Sequence, residues 1–285
     1  MKFAKIFMIL GLILGFIVLF SFFTFLLYIK PPKMHTPGNP SDYKLSYENI
    51  SFKTKDGLTL RGWFIPSNHS NNTIIIGHGF PFDKSNILHI TRFLNEKYNL
   101  LYYDFRYFGE SDGKYTTLGY KEKDDMLEAV NYLKKRKDVD SIGILGFSLS
   151  AATALMIDSD DVKAIVSDSA YASLYKVSKS VYFFFPWITK YPFICMTSLY
   201  AKIFLGLNMF KVSPEEHVKT MKIPILFIHG DKDSQISVEN SKILHKNAPK
   251  SELWIIKGVD HGMSYAKNPK KYEKRVMGFF DKHLG

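Results

Sequence analysis

The sequence predicts an α/β fold, a mostly parallel central sheet with helices on both faces, with one transmembrane helix ahead of it. Three observations predict it. Short apolar runs of strand length alternate with stretches of helical period over most of the chain. Two β-rich runs precede that alternation around an Asp-Gly pair, and the N-terminus carries a long run without a charge.

At the N-terminus, residues 6–29 contain no charge, and at about 1.5 Å rise per residue they are long enough to cross a roughly 30 Å hydrocarbon core. A cleaved leader has a shorter apolar stretch and a small-x-small end. This run ends in Leu26, Leu27, Tyr28 and Ile29, so residues 1–30 are expected to be an uncleaved, single-pass anchor. Lys2 and Lys5 precede the helix and Lys30 and Lys33 follow it. The free N-terminal amine tips the balance, which puts the short leader inside and the folded domain on the extracytoplasmic side. Residues 31–42, rich in Pro, Gly and polar side chains, read as an extended tether, and the domain is expected over 43–285.

Within the domain, residues 45–53 and 58–65 form a hairpin about Asp56-Gly57. Residues 73–77, 100–104, 141–146, 162–168, 223–229 and 253–257 read as strands buried on both faces. Helices are expected over 85–97, 118–135, 149–158, 237–247 and 265–283. Residues 171–212 are too long for a strand-to-helix connection and read as an inserted helical cap. Its aromatic and aliphatic load serves either as the cap's own core or as a face that lines an acyl pocket or dips into a membrane interface. Pro186, Lys190 and Pro192 interrupt the apolar run and argue against a second span.

Composition narrows the chemistry. The 285 residues are 46% hydrophobic, enough for one catalytic domain with a sizeable core. The single cysteine, Cys195, allows no intrachain disulfide and makes thiol chemistry a poor mechanism. The net charge of +11 is spread over the chain, denser only at residues 267–275; it is a solvated lysine-rich surface that suits an anionic phospholipid face. Basic residues are not interleaved with aromatics in a binding pattern, which argues against nucleic acid.

Ser148 follows the strand 141–146 and opens an alanine-rich helical stretch, the setting a nucleophile elbow requires. The small residues flanking it at two positions are Gly146 and Ser150, so the usual G-x-S-x-G becomes G-x-S-x-S. A serine nucleophile needs a base and an orienting acid. Asp233 lies in the loop after strand 223–229, with Asp231 and Asp168 as rivals for the acid, and His261 lies in a turn before the last helix. Oxyanion donors are expected from the backbone N–H groups of Leu149 and of Phe80, within Gly77-His78-Gly79-Phe80. His78 reads as a supporting histidine. His229, Asp231 and Asp233 belong to the strand-end segment and do not read as a metal cluster, and no metal or organic cofactor is expected.

Taken together, HGF at 78–80, YDFRYFGES at 103–111, GFSLS at 146–150, HGDKDSQIS at 229–237 and GVDHG at 258–262 resemble the α/β-hydrolase superfamily. The likeness runs from about residue 43 to 284 and is nearest to membrane-anchored α/β-hydrolase-domain proteins and the serine aminopeptidase-like or monoacylglycerol-lipase-like group. That group carries D-x-R-G-x-G-x-S; Asp104, Arg106, Gly109 and Ser111 match while Tyr107 stands where a glycine is usual. The resemblance implies the α/β-hydrolase fold and, from H-G-x-x-D, favours Asp233 over Asp231 as the acid.

The expected reaction is acyl transfer to water through an acyl-enzyme on Ser148, on a small-molecule or lipid ester. A peptidase or amidase, an acyltransferase with the same triad and a non-catalytic binding module are the rival readings. Residues 171–211 carry no acidic side chain to hold a free amino terminus, which counts against a peptidase. Asn49, Asn68 and Asn71 begin Asn-x-Ser/Thr triplets that matter only in a eukaryotic secretory setting.

Overall fold

The computed structural model describes residues 2–285. One sheet contains strands β1 (Glu48–Lys53), β2 (Thr59–Ile65), β3 (Thr73–Gly77), β4 (Asn99–Tyr103), β5 (Ile142–Phe147), β6 (Val162–Asp168), β7 (Ile225–Gly230) and β8 (Ser251–Ile256). Their spatial order is β1-β2-β4-β3-β5-β6-β7-β8. β1 and β2 form the antiparallel hairpin, with Ile50 opposite Gly62, and Gly57 takes φ +86° in its turn. β2 pairs antiparallel with β4, and every later pairing is parallel. The helices are α1 (Lys2–Ile29), α2 (Lys84–Thr91), α3 (Glu122–Lys134), α4 (Leu149–Ala154), α5 (Leu174–Val181), α6 (Tyr191–Leu205), α7 (Pro214–His217), α8 (Glu239–Asn247), α9 (Ser264–Lys267) and α10 (Pro269–Leu284).

Strands β3 to β7 read as continuous apolar runs because both faces of the sheet are covered there, whereas β8, expected to be buried on both faces, is at the sheet edge and only half-buried up to Ile256. Successive side chains alternate between two cores: Ile75, Leu101, Ile144, Ile165 and Phe227 pack with α3, α4 and α8. Ile74, Ile76, Leu100, Leu145 and Val166 pack with α2 and α10. Chain order reverses across β3, with β4 on one side and β5 on the other, and open α/β sheets place their ligand crevice at the carboxyl ends of strands flanking such a reversal.

Four helices differ from their sequence expectation. The helix expected from residue 118 begins at Glu122, whose buried carboxylate accepts the Thr117 and Gly119 N–H groups and the Thr116 hydroxyl, holding 116–121 as a turn. α4 ends at Ala154, where Leu155 and Met156 form a turn closed by the Met156 N–H donating to Thr153 O at 3.0 Å. The last helix is split: Pro269 cannot continue α9, and the Asn268 side chain caps α10 by accepting the Lys271 N–H at 3.1 Å. The helix expected over 85–97 is α2 followed by a 3₁₀ turn, Arg92–Glu96.

The cap lies between β6 and β7 and consists mainly of α5 and α6. Helix α1 is the one helix among the described residues long and apolar enough to cross a membrane. It does not stand clear of the domain. Phe25 and Ile29 enter the main core, Ile17 and Phe20 pack with Tyr182 and Phe193 of the cap, and the Tyr200 hydroxyl donates to Val18 O at 3.0 Å. The segment 31–42 also runs against the domain: Thr36 N–H donates to Asp83 at 2.7 Å, and the Tyr107 hydroxyl donates to Pro31 O.

Candidate active site

β5 ends at Phe147 and the chain turns sharply into α4, leaving Ser148 at φ 53°, ψ −107°. A residue with a Cβ is strained there, and the surroundings hold it. Ser148 N–H donates to Asp168 O at 2.8 Å, and Ser148 O accepts from Ala152 N at 3.1 Å. Gly146 is required by close approach, since a Cβ on it would lie 2.6 Å from Ala151 N. Ser150 stands where a second glycine is usual, and its hydroxyl accepts from Phe147 N–H at 2.8 Å and donates to Phe147 O at 3.0 Å. It therefore bonds the elbow together instead of distorting it.

Two loops after β7 and β8 bring the other groups over Ser148. Asp260 Oδ1 joins them, accepting Ser234 N–H at 2.8 Å and His261 N–H at 2.7 Å. His261 Nδ1 lies 2.7 Å from Asp233 Oδ2, and its Nε2 lies 3.0 Å from Ser148 Oγ. An ionised carboxylate at Nδ1 fixes the proton there and leaves Nε2 to accept from the serine. Burial raises the Asp233 pKa, but hydrogen bonds from His229, His261 and Ile236 N–H outweigh it and hold the carboxyl well below the ordinary carboxylate range. Asp233 is thus ionised where the imidazole needs it.

His229 supplies one of those bonds and is a residue whose part the sequence reading leaves out. Its Nε2 lies 2.7 Å from Ile236 O and 3.2 Å from Asp233 Oδ2, both acceptors, so Nε2 carries the proton. Its Nδ1 then accepts from Ser241 Oγ at 2.6 Å. The signal for it is its place at the end of β7, four residues before Asp233.

The rival acids are engaged elsewhere. Asp231 accepts Gly258 N–H at 2.6 Å. Asp168 is buried with the hydroxyls of Ser169, Ser264 and Tyr272 at 3.0–3.1 Å, and burial raises its pKa. His78 is buried, with burial lowering its pKa; its Nδ1 faces Gly79 O and its Nε2 accepts Phe105 N–H, which ties the HGF loop to the end of β4. Phe80 and Leu149 both border the cavity beside Ser148, and among the described residues their N–H groups have no protein acceptor. Two unspent donors beside a serine hydroxyl suit a developing oxyanion.

That cavity encloses about 390 Å³ and runs from Ser148 between α1 and the cap, with no charged side chain on its walls. A cavity of similar volume between His35, Asp83, Lys84 and Glu110 contains none of Ser148, Asp233 and His261. Among the described residues, no group of three or more His, Cys, Asp and Glu side chains could hold a metal ion.

Comparison with known proteins gives the family of the chain. Residues 35–184 match the model of the X-Pro dipeptidyl-peptidase (S15) family, and residues 110–285 match that of the prolyl oligopeptidase family. The protein YqkD of Bacillus subtilis is 33% identical over 238 residues, 79% of this chain and 76% of its own length. The chain belongs to the α/β-hydrolase superfamily. Among solved structures, the Pyrococcus furiosus esterase Pf2001 matches this hydrolase with a TM-score of 0.75 at 26% identity, covering 90% of this chain and 99% of that one. The Pyrococcus horikoshii acylaminoacyl peptidase, at 21% identity and a TM-score of 0.62, shares the fold over 87% of this chain and 44% of its own. The two peptidase family models and the esterase Pf2001 together support a serine hydrolase.

Proposed function

We propose that this serine hydrolase cleaves carboxylic esters of hydrophobic acyl chains while anchored in a membrane by α1. The observation that carries the reading is Ser148, hydrogen-bonded to the His261–Asp233 pair, at the mouth of a charge-free cavity. His261 Nε2 takes the Ser148 proton as Oγ attacks the ester carbonyl, and the Phe80 and Leu149 N–H groups hold the oxyanion. His261 returns the proton to the leaving alkoxide. Water, deprotonated by the same imidazole, then releases the acid. Asp233 keeps the imidazole in the required tautomer and stabilises its cation.

A peptidase reading has the family models behind it, but a free amino terminus or a charged side chain would meet no counter-charge in this cavity. An apolar acyl chain fits it without penalty. The cap supports the membrane setting. Phe184 and Phe185 pack their rings on Phe20 of α1, roughly 14 Å along the helix from Ile29. Phe183 and Trp187, 80% and 70% exposed, continue that apolar edge. The cap thereby sinks beside α1 into the apolar layer, and the leader's positive charge sets the domain on the extracytoplasmic side.

The test uses the full-length protein and Ser148→Ala, with fluorophosphonate labelling and hydrolysis of p-nitrophenyl esters of increasing chain length. Labelling and turnover lost in the variant support the reading. Folded wild-type protein that takes no label overturns it and leaves a binding module. An added alcohol that diverts most of the product to a new ester would make it an acyltransferase.

A further inference from the structure

We propose that α1 is a substrate-binding element as well as an anchor: the last two turns of this helix form one wall of the acyl pocket and set the chain length accepted at Ser148. The proposal rests on the ester-hydrolase reading and names the part of the chain that selects the acyl group. Thr24, Phe25, Tyr28 and Ile29 all border the cavity that reaches Ser148. Spaced at i, i+1, i+4 and i+5, they make one face of the helix, so the contact is a continuous wall and not a single touching side chain. The rest of the wall comes from the cap and from the loops around the serine.

A tether has no need to be fixed against the catalytic groups, and this helix is fixed at three places and the stem after it at a fourth. The Thr24 hydroxyl is 2.6 Å from the Tyr182 hydroxyl, which is 2.6 Å from that of Thr197 on α6. Thr24 also donates to Ser21 O at 3.0 Å, so Tyr182 donates to Thr24 and accepts from Thr197, and each hydroxyl is satisfied. At the helix end Thr116 N–H donates to Ile29 O at 2.9 Å, and Tyr107 reaches Pro31. Val18 O accepts from Tyr200. These three hydroxyls lie at the cavity wall between α1 and the cap and give it a fixed polar boundary there.

The helix also touches the catalytic apparatus. The Tyr28 ring stacks on Phe80, with centroids 6.1 Å apart and planes 11° from parallel. Phe80 is the residue whose N–H is assigned to the oxyanion, so α1 braces the loop that must hold charge in the transition state. A chain whose carbonyl sits at Ser148 extends along α1, within the depth of the membrane the helix occupies. The substrate class that follows is an acyl ester resident in the bilayer.

The experiment uses the full-length protein in phospholipid vesicles. A long-chain alkyl fluorophosphonate bearing a diazirine at the end of its chain is attached to the wild type, irradiated, and the second attachment point is mapped by mass spectrometry. Attachment within residues 24–29 is expected. A second attachment confined to the cap or core for every chain length overturns the proposal while leaving the esterase reading intact. Failure of the probe to attach to Ser148 overturns the esterase reading itself. In parallel, Thr24→Trp is expected to lower the ratio of palmitate to butyrate ester kcat/KM by about tenfold. Ile13→Trp, on the exposed part of the same helix, leaves that ratio unchanged. An unchanged ratio in labelled Thr24→Trp protein overturns the proposal; should that variant take no label, the wild-type attachment map decides.

Discussion

Ser150 has room for its side chain because Gly77 has none: a Cβ on Gly77 would lie 2.4 Å from the Ser150 Cβ and 2.7 Å from its hydroxyl. The glycine at the end of β3 and the serine after the elbow are one packing unit. Gly77→Ala is expected to destabilise the protein by about 1–3 kcal/mol through overpacking. Ser150→Gly alone gives up its two bonds to Phe147, at roughly 1 kcal/mol each. The double variant removes the clash and should cost less than the sum. Thermal unfolding of all four proteins in detergent checks it, and additive losses would show that the two positions are independent.

Tyr107 holds a backbone conformation suited to glycine, φ 75°, and uses its side chain to grip the stem of α1 at Pro31, with Lys33 over its ring at 5.3 Å. Strain of about 1 kcal/mol is set against that grip. Tyr107→Phe is expected to speed proteolytic cleavage within residues 31–42 several-fold while the core resists as before. Tyr107→Gly should loosen the same segment although it relieves the backbone. Cleavage rates equal to wild type in both variants would mean that the stem is held without Tyr107.

Much of this was legible in the sequence because the two signals involved are local. Strands such as 73–77 and 162–168 announce themselves by continuous apolar runs that only a doubly covered sheet explains. Ser148, Asp233 and His261 stand at strand ends, where the fold brings functional groups together. The packing of α1 against the cap was not legible, because its charge-free run over 6–29 is apolar nearly all round and does not reveal which side is covered. Nor was the part played by His229, since its partners Ile236 O and Ser241 are joined to it only by the path of the loop after β7. The Ser150 departure became intelligible only beside Gly77, which lies on another strand.

His229 positions Asp233 without reaching the serine, so its removal should reduce the acid's grip on His261. His229→Ala is expected to lower kcat by about tenfold, the equivalent of one hydrogen bond to a charged group, with KM for short esters little changed. His229→Gln, which retains an N–H for the carboxylate, should recover part of the loss. A loss in KM alone, or no difference between Ala and Gln, would assign His229 to packing only.

Asp168 ends β6 and Asp233 lies in the loop after the adjacent parallel strand β7, yet their surroundings move them in opposite directions. Burial dominates at Asp168: its hydroxyl donors offset the cost only in part, and its pKa stands above the ordinary value of about 3.9. A carboxyl raised in the folded state contributes stability that is fully present below the unfolded value and is lost as pH rises through the folded one. Asp233 is depressed, so its contribution is present above the unfolded value and is lost as pH falls through the folded one. Replacing each by Asn removes one of these contributions. The Tm of Asp168→Asn relative to wild type should therefore climb as pH rises from below 4. That of Asp233→Asn should fall over the same range. Thermal unfolding of the three proteins across that range provides the measurement, and slopes of the same sign would mean that the two strand ends do not differ in the way their hydrogen bonds and burial require.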